Sequence, residues 1–323
     1  MFKKLLLPIG LCLSLIFGML TPSAGAWLHV RQAEFLFIGM IFLINGYQTD
    51  IKSLIISKRL LGAFAICGLV GYVGGALLGS GIARLLHLDP ELAAGIVVMS
   101  TMAPTLSSVI VITQAANGNT PWSVLLTVGL NLLGVFAVPN LLALFLPGRE
   151  VSVPVMPLLW SLILSVLLPF AAGIMARHYM KIRPSELINL LPTLLIITLS
   201  YMSFSTGRST LLASTLGSIA LLVVALLSLH IVLMLVAQGV AVLFRYKTPE
   251  RKAIVFITSQ KTLPAAVGIV AKLGYTGAAA VPCVIYHFSQ ILFDSFIASI
   301  WRGRQAASEL PKDDPKLCAA SSR

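Results

Sequence analysis

The residues best placed to do chemistry lie in two short polar stretches, each with a proline, inside long apolar runs. They read APTLSS at 103–108 and TSQKTLP at 258–264. Inside a bilayer, a backbone group freed by a helix break must find a protein or water partner, so such stretches mark buried protein or a wet cavity. The N-termini of broken helices attract anions, and freed carbonyls attract cations. The two stretches therefore predict a solute or ion site. The alternative is that each proline only kinks a helix whose hydroxyls bond to preceding carbonyls.

Two charged residues fall deep inside apolar runs, namely Lys261 and Asp294. An isolated charge at the bilayer centre costs several kcal/mol, so the economical arrangement is an ion pair or a neutral lysine that faces a cavity. We expect Lys261 to face a solute cavity with Asp294 within reach. The alternative for Asp294 is a position nearer the membrane surface, in contact with interfacial water. His287, Gln290 and Asp294 follow an i, i+3, i+7 spacing and share one helix face. His287, and less so His230, could carry a proton or simply pack and hydrogen-bond.

The composition places these stretches in a membrane protein. The chain has 323 residues, 58% hydrophobic and 11% charged, with a mean hydropathy of +0.95. A crossing needs roughly 20 apolar residues, so the chain has room for about ten crossings and no separate soluble domain. Apolar runs predict spans at 5–22, 33–49, 60–83, 91–115, 121–147, 154–176, 186–204, 211–244, 253–272 and 277–301.

Charge and motif content exclude several other classes. The net charge of +12 comes from short loops rather than from a basic stripe with interleaved aromatics, so we expect no nucleic-acid partner. The four cysteines, Cys12, Cys67, Cys283 and Cys318, are scattered and indicate neither a zinc site nor a disulfide framework. Hydrolase and metalloprotease motifs are absent from the sequence, so we expect no enzyme activity and no cofactor.

The basic residues predict the orientation of the chain in the membrane. Fourteen lysines and arginines lie in or beside one set of loops, against five in the other, which are Arg31, Arg84, Arg149, Arg208 and Lys272. The positive-inside rule then places both termini in the cytosol, with a disordered cytosolic tail at 302–323. Residues 3–26 also resemble a cleavable secretory signal, which would leave nine spans. We favour retention, because ten spans divide into two inverted five-helix repeats, at about 5–147 and 154–301. The polar stretches then interrupt the fourth helix of each repeat, at matched positions.

Several of these segments resemble the bile acid:sodium symporter superfamily, most closely its sodium/bile acid cotransporter 7-like branch. The likeness is carried by residues 103–109, the NGN at 117–119 with Ser123 and Thr127, and the SQKTL at 259–263. IYHFSQIL at 285–292 and FLING at 42–46 also fit. It covers most of the chain in the number and order of spans, with specific motifs in spans two, four, five, nine and ten.

The resemblance implies a panel domain and a core domain, with discontinuous helices 4 and 9 crossing in the core. It also implies alternating-access transport of an organic anion coupled to a cation gradient, with no resident cofactor. The family's sodium-binding positions match Ser107, Ser108, Ser123, Thr127 and Gln260. The candidate substrate- and ion-binding residues as a whole are Pro104, Thr105, Ser107, Ser108, Ser123, Thr127, Asn131, Ser259, Gln260, Lys261, Thr262, His287, Gln290 and Asp294.

The chain departs from the family pattern at the ninth helix. The bile acid carriers have a glutamate there that neutralises sodium, whereas the matching place near Phe256 is apolar and Lys261 brings an ammonium into the crossing. A like charge repels a cation and attracts an anionic substrate. We therefore expect a sodium-independent or proton-linked carrier of a small or amphipathic organic anion, in a bacterial inner membrane. The alternatives are a sodium-coupled symporter and a non-transporting regulator of ion, including calcium, homeostasis.

Overall fold

The computed structural model describes residues 2–49, 57–146, 154–180, 186–213, 215–275 and 277–309. Every regular element in these ranges is a helix, and no β-strand occurs in them. The helices of the first half are α1 Phe2–Leu20, α2 Pro22–Val30, α3 Ala33–Gln48, α4 Lys58–Leu85, α5 Pro90–Ser100, α6 Ser107–Ala115 and α7 Thr120–Phe145. Those of the second half are α8 Val155–Met180, α9 Glu186–Thr206, α10 Arg208–Ala213, α11 Leu216–Leu243, α12 Thr248–Ser259, α13 Leu263–Lys272 and α14 Gly277–Glu309.

The described helices confirm an α-helical membrane protein. Six spans are long and apolar enough to cross a bilayer, namely α4, α7, α8, α11, α14 and α12 taken together with α13. The bent pair formed by α1 and α2, with an angle of 94°, would make a seventh. The apolar helices α3, α5 and the part of α9 at Leu190–Thr206 are shorter than a full crossing. The count of ten spans and the inverted repeat therefore stay predictions.

The helix boundaries differ from the predicted spans at the C-terminal end. Helix α14 continues to Glu309, so the first part of the predicted tail is helical. Residues 310–323 of that tail, and Arg149 among the predicted loop charges, lie outside the described residues.

Both polar stretches interrupt their helices completely. Helix α5 ends at Ser100 and α6 begins at Ser107, while α12 ends at Ser259 and α13 begins at Leu263. Pro264 lies in the first turn of α13, where a missing N–H leaves no hydrogen bond unmade. The alternative of two kinked but continuous helices is therefore wrong.

The second interrupted span is also the most enclosed one. An 18-residue apolar stretch of this span is entirely buried in the protein, whereas the corresponding stretches of the other five long spans are between 28% and 39% buried. Surrounding helices thus shield the break at residues 260–262 from lipid. This is the setting in which a bilayer tolerates irregular backbone.

Helix α4 is locally widened and closely packed beside the first break. Its residues Leu69–Gly74 form a π-helical turn, a rare feature that is often found at functional sites. A Cβ at Gly75 would lie 2.3 Å from the carbonyl oxygen of Ser100, and one at Gly79 would lie 2.1 Å from the Ser100 hydroxyl oxygen. Only glycine therefore allows α4 to approach the end of α5 this closely.

The Gly75→Ala substitution should destabilise the protein by about 1–3 kcal/mol, because the added methyl group meets backbone that cannot easily move. The measurement is the free energy of unfolding in a graded mixed-micelle titration. Gly74→Ala is the matched control, since the nearest atom to a Cβ at Gly74 is 3.8 Å away. Equal stability of the two variants would contradict the close approach.

Candidate functional site

The two broken segments lie directly against each other. The Thr262 N–H donates a hydrogen bond to the carbonyl of Ala103 at 2.9 Å. The Thr105 hydroxyl donates to the side-chain oxygen of Gln260 at 2.5 Å, and the Ser108 hydroxyl donates to the Thr105 oxygen at 2.7 Å. Each break thus satisfies polar groups of the other, as the matched positions suggested.

A single glutamine on α14 supports the centre of the second break. The Gln290 side-chain oxygen accepts from the Lys261 N–H, and its nitrogen donates to the Lys261 carbonyl, both at 2.8 Å. Gln290 is fully buried. One side chain therefore replaces both helical hydrogen bonds that the interruption removes at residue 261.

The ammonium of Lys261 is held by backbone carbonyls. Its Nζ donates to the carbonyl of Gly71, in the π-helical turn of α4, and to the carbonyl of Met102, in the first break, at 3.2 Å. It also lies 5.8 Å from the centre of the Tyr72 ring. Lys261 is only 1% exposed. Two segments in which the backbone departs from an α-helix thus supply the dipoles that solvate this charge.

Lys261 and Asp294 do not form an ion pair with each other. The ion pairs among the described residues do not include Lys261, and Asp294 instead pairs with His230 on α11 at 2.8 Å. The other Asp294 oxygen accepts from the Gln260 side-chain nitrogen at 2.7 Å. Asp294 is also completely buried, so it does not meet interfacial water.

His230 completes a second buried centre. Its Nδ1 is 3.3 Å from both the Ser259 carbonyl and the Tyr286 hydroxyl, and Tyr286 itself donates to the Ser259 carbonyl at 2.8 Å. Gln260 connects this centre to the first break, because its oxygen accepts from Thr105 while its nitrogen donates to Asp294. One continuous polar network therefore joins α11 and α14 to both broken segments.

The remaining predicted residues divide into two groups. Asn131 on α7 donates to the carbonyls of Pro104 and Thr127, at 3.0 and 2.9 Å, and so joins the first break. Ser123 donates to the Thr113 hydroxyl, while the buried Thr127 hydroxyl has no hydrogen-bond partner. These two hydroxyls do not bond to Gln260. The assignment of a sodium site to Ser107, Ser108, Ser123, Thr127 and Gln260, which the resemblance implies, stays a prediction.

Other predicted residues have simpler surroundings. The Ser259 hydroxyl donates back to the Val255 carbonyl at 3.1 Å. The His287 Nδ1 is 2.9 Å from the Gln290 side-chain nitrogen, and its Nε2 is buried without a hydrogen-bond partner. Ser107 is the first residue of α6.

Sequence reasoning missed or underrated several residues of the network. His230 carried a signal, since it is a lone histidine in an otherwise apolar helix, but its pairing with Asp294 depends on tertiary packing. Gly71 and Met102 contribute only carbonyl oxygens, which no side-chain pattern reveals. Glu34 lies near the start of a predicted span and gave no sign that it is 1% exposed.

Broken apolar helices that meet around buried charges define a class of protein, the secondary membrane transporters. Comparison with known proteins identifies the particular family. Residues 6–303 match the model of the SBF-like CPA transporter family. The chain belongs to this family, and it is an integral membrane transporter rather than an enzyme.

Curated relatives agree with this assignment. A rice (Oryza sativa subsp. indica) protein named probable sodium/metabolite cotransporter BASS4, chloroplastic, is 29% identical over 92% of this chain and 75% of its own length. The Arabidopsis thaliana protein of the same name is 28% identical over 94% of this chain and 74% of its own length. The Xenopus laevis sodium/bile acid cotransporter 7-A is 26% identical over 73% of this chain and 72% of its own length. All three are named as cotransporters.

The Gln290→Leu substitution should destabilise the protein by about 2–4 kcal/mol, because it leaves a buried N–H and a buried carbonyl of Lys261 unpaired. The free energy of unfolding in mixed micelles provides the measurement. Gln114→Leu, at an exposed position on α6, is the control and should change stability little. A Gln290 variant as stable as that control would contradict the role of this side chain.

His230 and Asp294 should be strongly coupled in a double-mutant cycle. Asp294→Leu or His230→Leu alone leaves a buried polar partner and should each cost about 3–5 kcal/mol, whereas the double variant should cost much less than the sum. Unfolding free energies of the wild type and the three variants give the coupling. Additive costs would show that the two side chains do not act as a pair.

Proposed function

We propose that this chain is a ten-span transporter of small or amphipathic organic anions that works by alternating access and does not bind sodium at the crossing of its broken helices. Two inverted repeats, at about 5–147 and 154–301, would form its panel and core domains. The matched breaks support this arrangement, because each interrupts a span and the two bond to each other. The proposed site comprises the residues of both breaks with Asn131, His287, Gln290 and Asp294.

The buried ammonium of Lys261 is the observation that carries the proposal. Its hydrogen-bond partners are neutral carbonyls, so its positive charge is solvated without being cancelled by a contacting carboxylate. In a low-dielectric interior such a charge attracts an anion strongly. A carboxylate or sulfonate that enters the crossing would gain an ion pair that the empty carrier lacks.

The same contacts argue against sodium at this place. Freed carbonyls are the groups that coordinate sodium at helix breaks, and here Gly71 and Met102 already bind the ammonium. Phe256, near the family's glutamate position, is fully buried, and the centre of its ring lies 5.2 Å from the centre of the Trp301 ring. The His230–Asp294 pair, joined to the crossing through Gln260, is the group that we propose for proton coupling.

Sodium coupling is the second candidate, and the names of the relatives favour it. The rice and Xenopus laevis proteins are both named as sodium cotransporters. The buried Thr127 hydroxyl without a partner is the local feature that fits a cation on the α7 side.

We further propose that the chain lies in a bacterial inner membrane with both termini in the cytosol. The excess of lysine and arginine in one set of loops supports this orientation. The chloroplast location in the names of the plant relatives applies to those proteins.

Uptake into proteoliposomes tests the proposed transport. Labelled organic anions, with taurocholate and lactate among them, are offered at fixed membrane potential with an inward proton gradient, an inward sodium gradient or neither. We expect at least one anion to enter faster with the proton gradient and no faster with sodium. Lys261→Met should reduce this uptake by at least about tenfold, the effect of losing roughly 1.4 kcal/mol of anion stabilisation.

Lys272→Met is the matched control, because Lys272 is an exposed lysine at the end of α13 and should leave uptake unchanged. A twofold or greater stimulation by the sodium gradient at constant pH would favour the sodium symporter. Undiminished uptake by a folded Lys261→Met protein would exclude the ammonium as the anion site.

A further inference from the structure

A separate cavity lies away from the crossing, between α2, α3, α9, α13 and α14. It is small, with a volume of about 20 Å³, and its polar lining residues include His29, Glu34, Ser203 and Thr206. Gly277 and Val270 contribute to its walls. Val270 is eight residues beyond Thr262 along the chain, or roughly 12 Å of helix. The cavity therefore does not belong to the site described above.

Glu34 is the charged group of this cavity. One of its oxygens lies 3.2 Å from the His29 Nδ1, and its side chain is only 2% exposed. Its other oxygen, Oε2, is buried and has no hydrogen-bond partner. A buried carboxylate oxygen without a partner is costly, so this position is stabilised by any ligand that supplies positive charge or a hydrogen-bond donor.

Two residues of α9 that carry hydroxyl groups, Ser203 and Thr206, line the same cavity. The Ser203 hydroxyl donates its proton to the Leu199 carbonyl, and the Thr206 hydroxyl donates to the Met202 carbonyl, both at 2.9 Å. Because each proton is used within the helix, the oxygen lone pairs are the groups left for a ligand. Carboxylate and hydroxyl oxygens together form a ligand set for a hard cation or an ammonium ion.

The charge and number of these ligands select a monovalent cation. Calcium binds through six to eight oxygens, usually from several carboxylates, and only one carboxylate lines this cavity. Transition metals favour clusters of histidine, cysteine and acidic residues, and no group of three or more occurs among the described residues. The one carboxylate, which already contacts His29, supplies at most one negative charge, and this suits a monovalent cation better than a divalent one.

We propose that this cavity is a binding site for a small monovalent cation, held by the Glu34 Oε2 with the Ser203 and Thr206 hydroxyl oxygens. The bound ion links α3 to α9, and apolar residues of α13 and α14 pack around it. It therefore stabilises this arrangement of the helices, independently of what the crossing carries. Either a metal ion such as sodium or an ammonium ion satisfies the same chemistry.

Thermal unfolding of the purified full-length protein tests the site. The midpoint is followed by tryptophan fluorescence while choline chloride is replaced by sodium, potassium or ammonium chloride at about 100 mM total salt, which keeps the ionic strength constant. We expect one of these cations to raise the midpoint saturably, by about 2–5 °C. The cation that does so distinguishes a metal ion from ammonium.

The Glu34→Gln variant, which keeps the shape of the side chain, should lose the shift, and Thr206→Val should reduce it. Asp294→Asn removes a buried carboxylate at the crossing and should retain the shift. The proposal is overturned if no cation shifts the wild type, or if the shift survives Glu34→Gln. It is also overturned if Asp294→Asn alone abolishes the shift, which would place the cation at the crossing and count against the proposed function as well. Should Glu34→Gln fail to fold, an undiminished shift in Thr206→Val is the overturning result.

Discussion

The need to satisfy freed backbone groups inside a bilayer governs the centre of this protein. Two helices stop and restart, and each interruption leaves N–H and carbonyl groups that lipid cannot bind. These groups are satisfied because the two interruptions contact each other through Thr262 and Gln260 and because Gln290 of α14 bonds to the backbone of Lys261. The burial of the whole second span follows from the same requirement, since only surrounding helices can exclude lipid from the break.

Two buried charges are stabilised in different ways within one network. Lys261 is solvated by carbonyl dipoles, whereas Asp294 is paired with His230. The first arrangement uses only neutral partners, whereas the second places two ionisable side chains in direct contact. Gln260 touches both systems, because it follows the end of α12 and faces α14.

The sequence predicted much of this architecture because its strongest signals are local. Long apolar runs, the two polar interruptions and the i, i+3, i+7 face of α14 can all be read from neighbouring residues. Pairing cannot be read in this way. Asp294 pairs with His230 rather than with Lys261 because of how α11 packs. The partners of Lys261 are backbone carbonyls of Gly71 and Met102. Glu34 was missed because its burial is set by α9, far away in sequence.

The π-helical turn at Leu69–Gly74 has a consequence for how the family could vary. Such a turn holds one more residue than an α-helical turn, so deleting one residue within it would restore a regular α-helix and leave Gly75 and Gly79 facing Ser100. The deletion would instead change the backbone around Gly71, whose carbonyl accepts a hydrogen bond from Lys261. A relative one residue shorter here would keep the packing of α4 and lose this contact with the lysine.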